Sequence, residues 1–126
     1  AEIELRAYLD LKSAKVTPKL YAAWICRNKL YLVMEKLFEC KRSHANLVKR
    51  TQFMLDRILE RGWLHCDVHL GNIMCTATGR LVLIDFGLAA KKRMSWNTHS
   101  ETFTRLKERQ KKQMEDLVDG SYDYYT

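Results

Sequence analysis

Several patterns that would place a chain in a simple class are missing from these 126 residues. No run of 18 apolar residues occurs, so the sequence predicts no membrane-spanning helix. No internal repeat is present, and the acidic, amphipathic start AEIELRAYLDL fits neither a signal nor a transit peptide. Because the first residue is not Met, we expect a chain that is processed, truncated or incompletely observed at that end.

The four cysteines lack the CxxC spacing of metal and redox motifs. They lie in or beside apolar runs, which predicts free thiols in a reducing compartment and therefore a cytoplasmic protein. What is present is a globular composition, 47% hydrophobic and 29% charged, in a length that suits one domain or part of a larger one. The net charge of +7 favours anionic partners without choosing among nucleotides, nucleic acid and acidic proteins.

Apolar periodicity and turn residues predict an α+β domain. Ser43 is placed as the N-cap of the clearest helix, and Gly62 stands where a glycine often follows a helix end. Asn28 supplies the turn of a hairpin. The predicted order is helix 3–11, strands 19–26 and 29–37, helix 43–62, strands 72–76 and 81–86, a loop over 89–100, helix 100–118 and a frayed tail.

Residues 65–87, HCDVHLGNIMCTATGRLVLIDFG, concentrate the polar groups that carry chemistry. The pattern H-x-D-x-x-x-x-N runs from His65 to Asn72, and D-F-G begins thirteen residues later at Asp85. Either motif alone is weak, but both occur in order, with a predicted hairpin between them and an amphipathic helix before them. Together they resemble the catalytic loop and metal motif of the protein-kinase-like superfamily.

This resemblance implies ATP and Mg²⁺ as cofactors and assigns roles to four polar residues. Asp67 is the implied catalytic base that orients a substrate hydroxyl, and His69 is the implied contact to the γ-phosphate. Asn72 and Asp85 are the implied Mg²⁺ ligands, since that ion prefers hard oxygen donors.

The same resemblance extends to the segment LYLVMEKL, which is similar to the strand and linker that bind adenine. It implies that Met34 is the gatekeeper and that Met74 forms the apolar floor beneath the adenine ring. It also implies that the Glu35 carbonyl, with the amide and carbonyl of Leu37, bonds to the adenine edge.

Departures from the kinase pattern point to a reduced or atypical member, similar to Ser/Thr kinases of viruses or bacterial effectors. Cys66 replaces the usual arginine, His69 replaces lysine, and no A-P-E follows the D-F-G motif. Within these 126 residues, no Gly-rich loop or strand lysine occurs before the first helix, in which Glu4 or Glu2 is the candidate partner of such a lysine. We therefore expect a partial N-lobe over 1–37 and a reduced C-lobe over 38–126.

The expected function is that of an ATP-dependent Ser/Thr protein kinase, with two alternatives left open. One is a pseudokinase-like scaffold whose basic helix around 105–112 binds an acidic partner; interspersed acids disfavour nucleic acid there. The other is a small-molecule kinase, indicated by His69 and the short tail.

Two plainer interpretations of the polar residues are that Asp67 and Asp85 only cap turns, and that neighbouring residues form a transition-metal site. The candidate metal ligands would be His65, Cys66, Asp67, His69 and Cys75, but their spacing fits no zinc signature.

Overall fold

Helices and antiparallel hairpins alternate along the computed structural model, which describes residues 2–92 and 100–120. Its helices are α1 (Glu2–Asp10), α2 (His44–Glu60) and α3 (Ser100–Asp119). Its strands are β1 (Leu20–Cys26), β2 (Lys29–Met34), β3 (Trp63–Leu64), β4 (Ile73–Cys75), β5 (Leu81–Leu83) and β6 (Ala90–Lys91). The pairs β1–β2, β3–β6 and β4–β5 are all antiparallel. This order is the α+β protein-kinase-like core that the sequence predicts.

The helix ends follow the local chemistry that the sequence shows. The side chain of Ser43 accepts a hydrogen bond from Asn46 N, 3.2 Å away, at the start of α2. Gly62 and Gly120 have φ values of 81° and 76° just after α2 and α3, a conformation that glycine adopts without a steric penalty. The predicted cap at Ser43 and the glycine predicted to follow α2 are confirmed.

Several predicted strand boundaries are wrong, and one of them affects the candidate site. The strand predicted over 29–37 ends at Met34. The strand predicted over 81–86 ends at Leu83, because Asp85 has a φ of 60°, which no strand residue adopts. Asp85 therefore lies in an irregular segment and not at a strand end. The strand predicted over 72–76 covers only Ile73–Cys75, because a 3₁₀ turn at Leu70–Asn72 precedes it.

The predicted loop over 89–100 is also partly wrong. Ala90 and Lys91 form β6, which pairs with Trp63 and Leu64 and returns the chain to the end of α2. Two residues are too few for a period of two to be visible in the sequence. Residues 93–99 of that loop, and the tail from residue 121, lie outside the described residues.

The main core lies between α2, the β4–β5 hairpin and the end of α1. Trp63, Leu83 and Phe86 are fully buried there, and Arg57 Nε on α2 donates to Ala14 O at 3.2 Å, which ties α2 to the segment after α1. The β1–β2 hairpin is largely exposed by contrast. Within residues 2–92 and 100–120, none of the helices has the length and apolar character that crossing a membrane requires.

Candidate functional site

The 65–72 loop brings three of the polar residues from the sequence motif into contact. Asn72 Nδ2 donates to Asp67 O at 2.8 Å and to Asp67 Oδ2 at 3.2 Å. His69 Nε2 lies 3.6 Å from Asp67 Oδ1 and 3.2 Å from Asn72 Nδ2. The other ring nitrogen of His69 accepts from Gly71 N at 3.1 Å, which holds the imidazole over the 3₁₀ turn. The Asp67 carboxylate is thereby oriented while its side chain stays 29% exposed.

His65 lies at the centre of the site and is fully buried. Its Nε2 lies 2.7 Å from Ile84 O, and its Nδ1 accepts from Asp67 N at 3.1 Å. Burial lowers the pKa of His65, although the bond to Ile84 O and the nearby Asp67 and Asp85 carboxylates oppose this. A neutral ring that donates from Nε2 satisfies both contacts. His65 therefore joins the 65–72 loop to the segment before Asp85.

An unusual backbone conformation at Asp85 sets the direction of its side chain. Its φ of 60° lies in the left-handed region, and its Oδ1 accepts from Gly87 N at 3.2 Å. A Cβ added at Gly87 would lie 3.2 Å from that same oxygen, so a larger residue would crowd the carboxylate. Ile84 N donates to Asn72 O at 3.0 Å, which connects the segments that carry Asp85 and Asn72.

Helix α1 holds the backbone around Asp85 through two side chains one turn apart. The Tyr8 hydroxyl accepts from Asp85 N at 3.2 Å, and Glu4 Oε2 accepts from Phe86 N at 3.1 Å. The rings of Tyr8 and Phe86 meet edge to face at 5.3 Å, and those of Phe86 and His65 at 4.7 Å. Among the described residues, Glu4 thus binds a main-chain amide and not a lysine.

Glu4 makes the stability of this contact depend on pH. Burial raises the pKa of Glu4 above its ordinary value of 4.5, the Phe86 amide lowers it, and the Asp85 charge raises it. The folded chain therefore holds this proton more tightly than the unfolded chain does. The contribution of the protonated Glu4 to the free energy of unfolding is complete below pH 4.5 and is lost as the pH rises through the pKa of Glu4 in the folded chain. Glu4→Gln keeps an acceptor for Phe86 N and cannot ionise.

We expect Glu4→Gln to gain stability relative to the parent as the pH rises from 4 to 7. Urea denaturation of both proteins at several pH values measures this difference. A constant difference, or one that shrinks with rising pH, would show that Glu4 does not titrate as its surroundings indicate.

Of the four residues expected around adenine, Leu37 and Met74 each directly precede a residue of the Phe38–Cys75 pair at the end of β4. Phe38 pairs with Cys75 through two hydrogen bonds of 2.8 Å, which places the segment after β2 beside β4. Met74 is half-buried on β4, and Met34, at the end of β2, packs against the main core. Glu35 N donates to Lys19 O at 2.9 Å. No hydrogen bond to a described residue occupies the Glu35 carbonyl or the amide and carbonyl of Leu37.

Two glutamines of α3, which the sequence did not single out, bond to the backbone of the 65–72 loop. Gln110 Oε1 accepts from His65 N at 2.8 Å and Cys66 N at 3.2 Å. Gln113 Oε1 accepts from Val68 N at 2.9 Å, while its Nε2 donates to Cys66 O at 2.9 Å. Their spacing in the sequence could have identified these two glutamines, because they lie on the face of α3 that also carries Phe103, Leu106, Met114 and Leu117.

The transition-metal alternative gains no support from the geometry. In the part of the chain that the structure describes, no group of three or more His, Cys, Asp or Glu side chains is placed to hold a metal ion. Cys66 Sγ lies 3.9 Å from Leu106 O and Cys75 Sγ lies 3.8 Å from Gly79 O. Burial raises the pKa of Cys66 to about 11, so this thiol stays protonated at neutral pH.

These features define a protein-kinase-like domain: α1 packs against the D-F-G segment, the β1–β2 hairpin is exposed, and α2 precedes the two polar motifs. A family model described as the ABC1 atypical kinase-like domain matches residues 12–118. The chain therefore belongs to the ABC1 atypical kinase-like family.

Individual relatives are distant and much longer than this chain. The chain is 30% identical to Citron Rho-interacting kinase of Mus musculus over 104 residues, covering 70% of this chain and 5% of that kinase. It is 34% identical to an uncharacterized protein of Synechocystis sp. over 83 residues, covering 56% of this chain and 12% of that protein. The crystal structure of WbdD matches with a TM-score of 0.48 and 22% identity, covering 85% of this chain and 28% of WbdD.

Proposed function

We propose that this chain carries the transfer site of an ATP-dependent phosphotransferase that acts on serine or threonine hydroxyls of a protein. The observation that carries the proposal is the joint placement of Asp67, Asn72 and Asp85 around the buried His65. Membership of a kinase-like family, and similarity to a protein named as a kinase, support this class of chemistry.

Asp67 is the proposed catalytic base. Asn72 holds its Oδ2, and the partly exposed carboxylate can accept a hydrogen bond from an incoming hydroxyl. As the new oxygen–phosphorus bond forms, Asp67 takes the hydroxyl proton, and the bond to the leaving diphosphate breaks. His69, beside Asp67, is the proposed contact to the transferred phosphate.

Asn72 and Asp85 are the proposed Mg²⁺ ligands, and their free atoms fit that ion. The hydrogen bonds that the Asn72 side chain donates to Asp67 use Nδ2, which leaves Oδ1 to coordinate. Gly87 N donates to Oδ1 of Asp85, so Oδ2 is the oxygen that would coordinate the ion. Mg²⁺ takes few protein oxygens and keeps waters and phosphate oxygens in its shell, so two such ligands suffice. When bound, the ion neutralises phosphate charge.

The nucleotide would lie along β4. Cys75 follows Asn72 by three positions, a span of about 10 Å in an extended chain. This distance suits the separation between an adenine ring and its phosphates. Met34, Glu35, Leu37 and Met74 would then hold adenine at the end of β4 where Phe38 pairs with Cys75. In this proposal, residues 1–37 are the N-lobe part and residues 38–126 the C-lobe part.

Metal-dependent binding of ATP tests the proposal and separates it from the scaffold alternative. We expect ATP with Mg²⁺ to stabilise the full-length protein by about 2.7 kcal/mol at a hundredfold excess over Kd, and ATP alone to stabilise it less. Asp85→Asn should lose the metal-dependent part in a thermal-shift assay. Asp56→Asn, an exposed aspartate of α2, is the matched control. Equal melting temperatures with and without Mg²⁺ would support the scaffold instead.

A further inference from the structure

We propose that Gln110 and Gln113 are positioning residues, which hold the backbone of the 65–72 loop in the geometry that Asp67 needs for transfer. This inference rests on the proposed function. The two side chains project from α3, some 45 residues away in sequence, and bond to the loop only through its main chain.

The first four residues of the loop need such partners because no helix or strand bond satisfies their amides. Buried main-chain N–H groups are nearly always paired. Here four consecutive amides, at residues 65–68, are each paired with a side chain. His65 supplies the partner for Asp67 N, and the two glutamines supply the other three. Cys66, in their midst, has a φ of 67°, a conformation that costs about 1–2 kcal/mol outside glycine.

Gln113 holds both peptide planes that flank Asp67. The plane before Asp67 contains Cys66 O, which accepts from Gln113 Nε2, and the plane after it contains Val68 N, which donates to Gln113 Oε1. One amide group thus fixes the direction in which the Asp67 side chain leaves the backbone. Rotation of either plane would turn the carboxylate away from Asn72, and misplacement by about 1 Å can lower a rate about a hundredfold.

Gln110 works differently, because only its oxygen bonds to the loop. Oε1 accepts from both His65 N and Cys66 N. A carboxylate at position 110 can accept the same two bonds. At position 113 a carboxylate cannot donate to Cys66 O, and it would place two acceptors face to face. The pair therefore predicts opposite outcomes for the same chemical change.

Steady-state kinetics on the full-length protein, with a generic basic protein as substrate, tests this difference. We expect Gln113→Glu and the isosteric Gln113→Met to lower kcat by about tenfold or more, with KM for ATP within about twofold of the parent. Gln110→Glu should stay within about threefold in kcat. Gln52→Glu, on the exposed face of α2, is the matched control and should not change either constant.

Amide hydrogen exchange at residues 65–68 gives a second readout that does not depend on turnover. We expect faster exchange at Val68 in both Gln113 variants than in Gln110→Glu or the parent. Parent kinetics in the Gln113 variants, or an equal loss in Gln110→Glu and Gln113→Glu, would overturn the inference. A parent that transfers no phosphate would refute the proposed function instead, and unchanged exchange at Val68 would then overturn the positioning role by itself.

Discussion

Replacing Asp67 by asparagine is expected to lower kcat for phosphate transfer roughly 10²- to 10⁴-fold, the usual contribution of a positioned general base. The amide can still accept a hydrogen bond from a substrate hydroxyl, but it cannot take the proton. ATP affinity should stay at the parent value, because Asn72 and Asp85 remain and the hydrogen bonds of Asp67 to described residues all lie within its own loop. Kinetics and calorimetric ATP binding on the full-length protein measure the two quantities separately.

The control for this prediction is Asp56→Asn, which removes the same charge from an exposed position of α2. It should change neither kcat nor ATP affinity. If Asp67→Asn transfers phosphate as fast as the parent, Asp67 is not the base. If instead ATP affinity falls together with kcat, Asp67 belongs to the nucleotide site.

Phe86→Ala is expected to lower the free energy of unfolding by about 3–5 kcal/mol, as for other fully buried phenylalanines. Phe86 has no exposed surface, and its ring packs edge to face against both Tyr8 and His65. The substitution leaves a cavity between α1 and the loop that carries Asp67. Urea denaturation followed by circular dichroism measures the loss as a lower midpoint at an unchanged slope.

Phe53→Ala provides the comparison for Phe86→Ala. Phe53 is 46% exposed on α2, where the guanidinium groups of Arg50 and Arg57 lie 4.9 Å and 5.7 Å from its ring centre. Loss of an exposed ring with such contacts should cost about 1 kcal/mol at most. Similar losses in the two variants would mean that Phe86 does not join α1 to the 65–72 loop.

The features that follow local chemistry could be predicted from the sequence. Ser43, Gly62 and Gly120 mark helix ends because each residue type has a direct relation to the backbone geometry at its position. Asp67 and Asn72 fall within one turn-forming segment, so their spacing alone brings them within reach of each other. The α+β order followed from such local signals, whereas the kinase-like class followed from the resemblance of the H-x-D-x-x-x-x-N and D-F-G motifs to a known family.

Features that depend on tertiary contacts could not be predicted in this way. The apolar run LVLI suggested a strand that continued to Phe86. Instead Asp85 has a left-handed conformation, and Tyr8 and Glu4, about 80 residues earlier, accept hydrogen bonds from the amides of Asp85 and Phe86. Gln110 and Gln113 look like ordinary polar residues of a charged helix until the 65–72 loop packs against them. Long-range hydrogen bonds to a main chain leave no periodic trace in either partner.

Paramagnetic broadening by Mn²⁺ bound to ATP tests the central proposal most directly, since Mn²⁺ takes the same oxygen ligands as Mg²⁺. In amide spectra of the full-length protein, the resonances of Asn72 and Asp85 should broaden first. Those of Trp24 and Tyr31, on the exposed β1–β2 hairpin, should stay sharp. Broadening confined to any other region, or equal broadening throughout the chain, would contradict a cation–nucleotide site formed by these two residues.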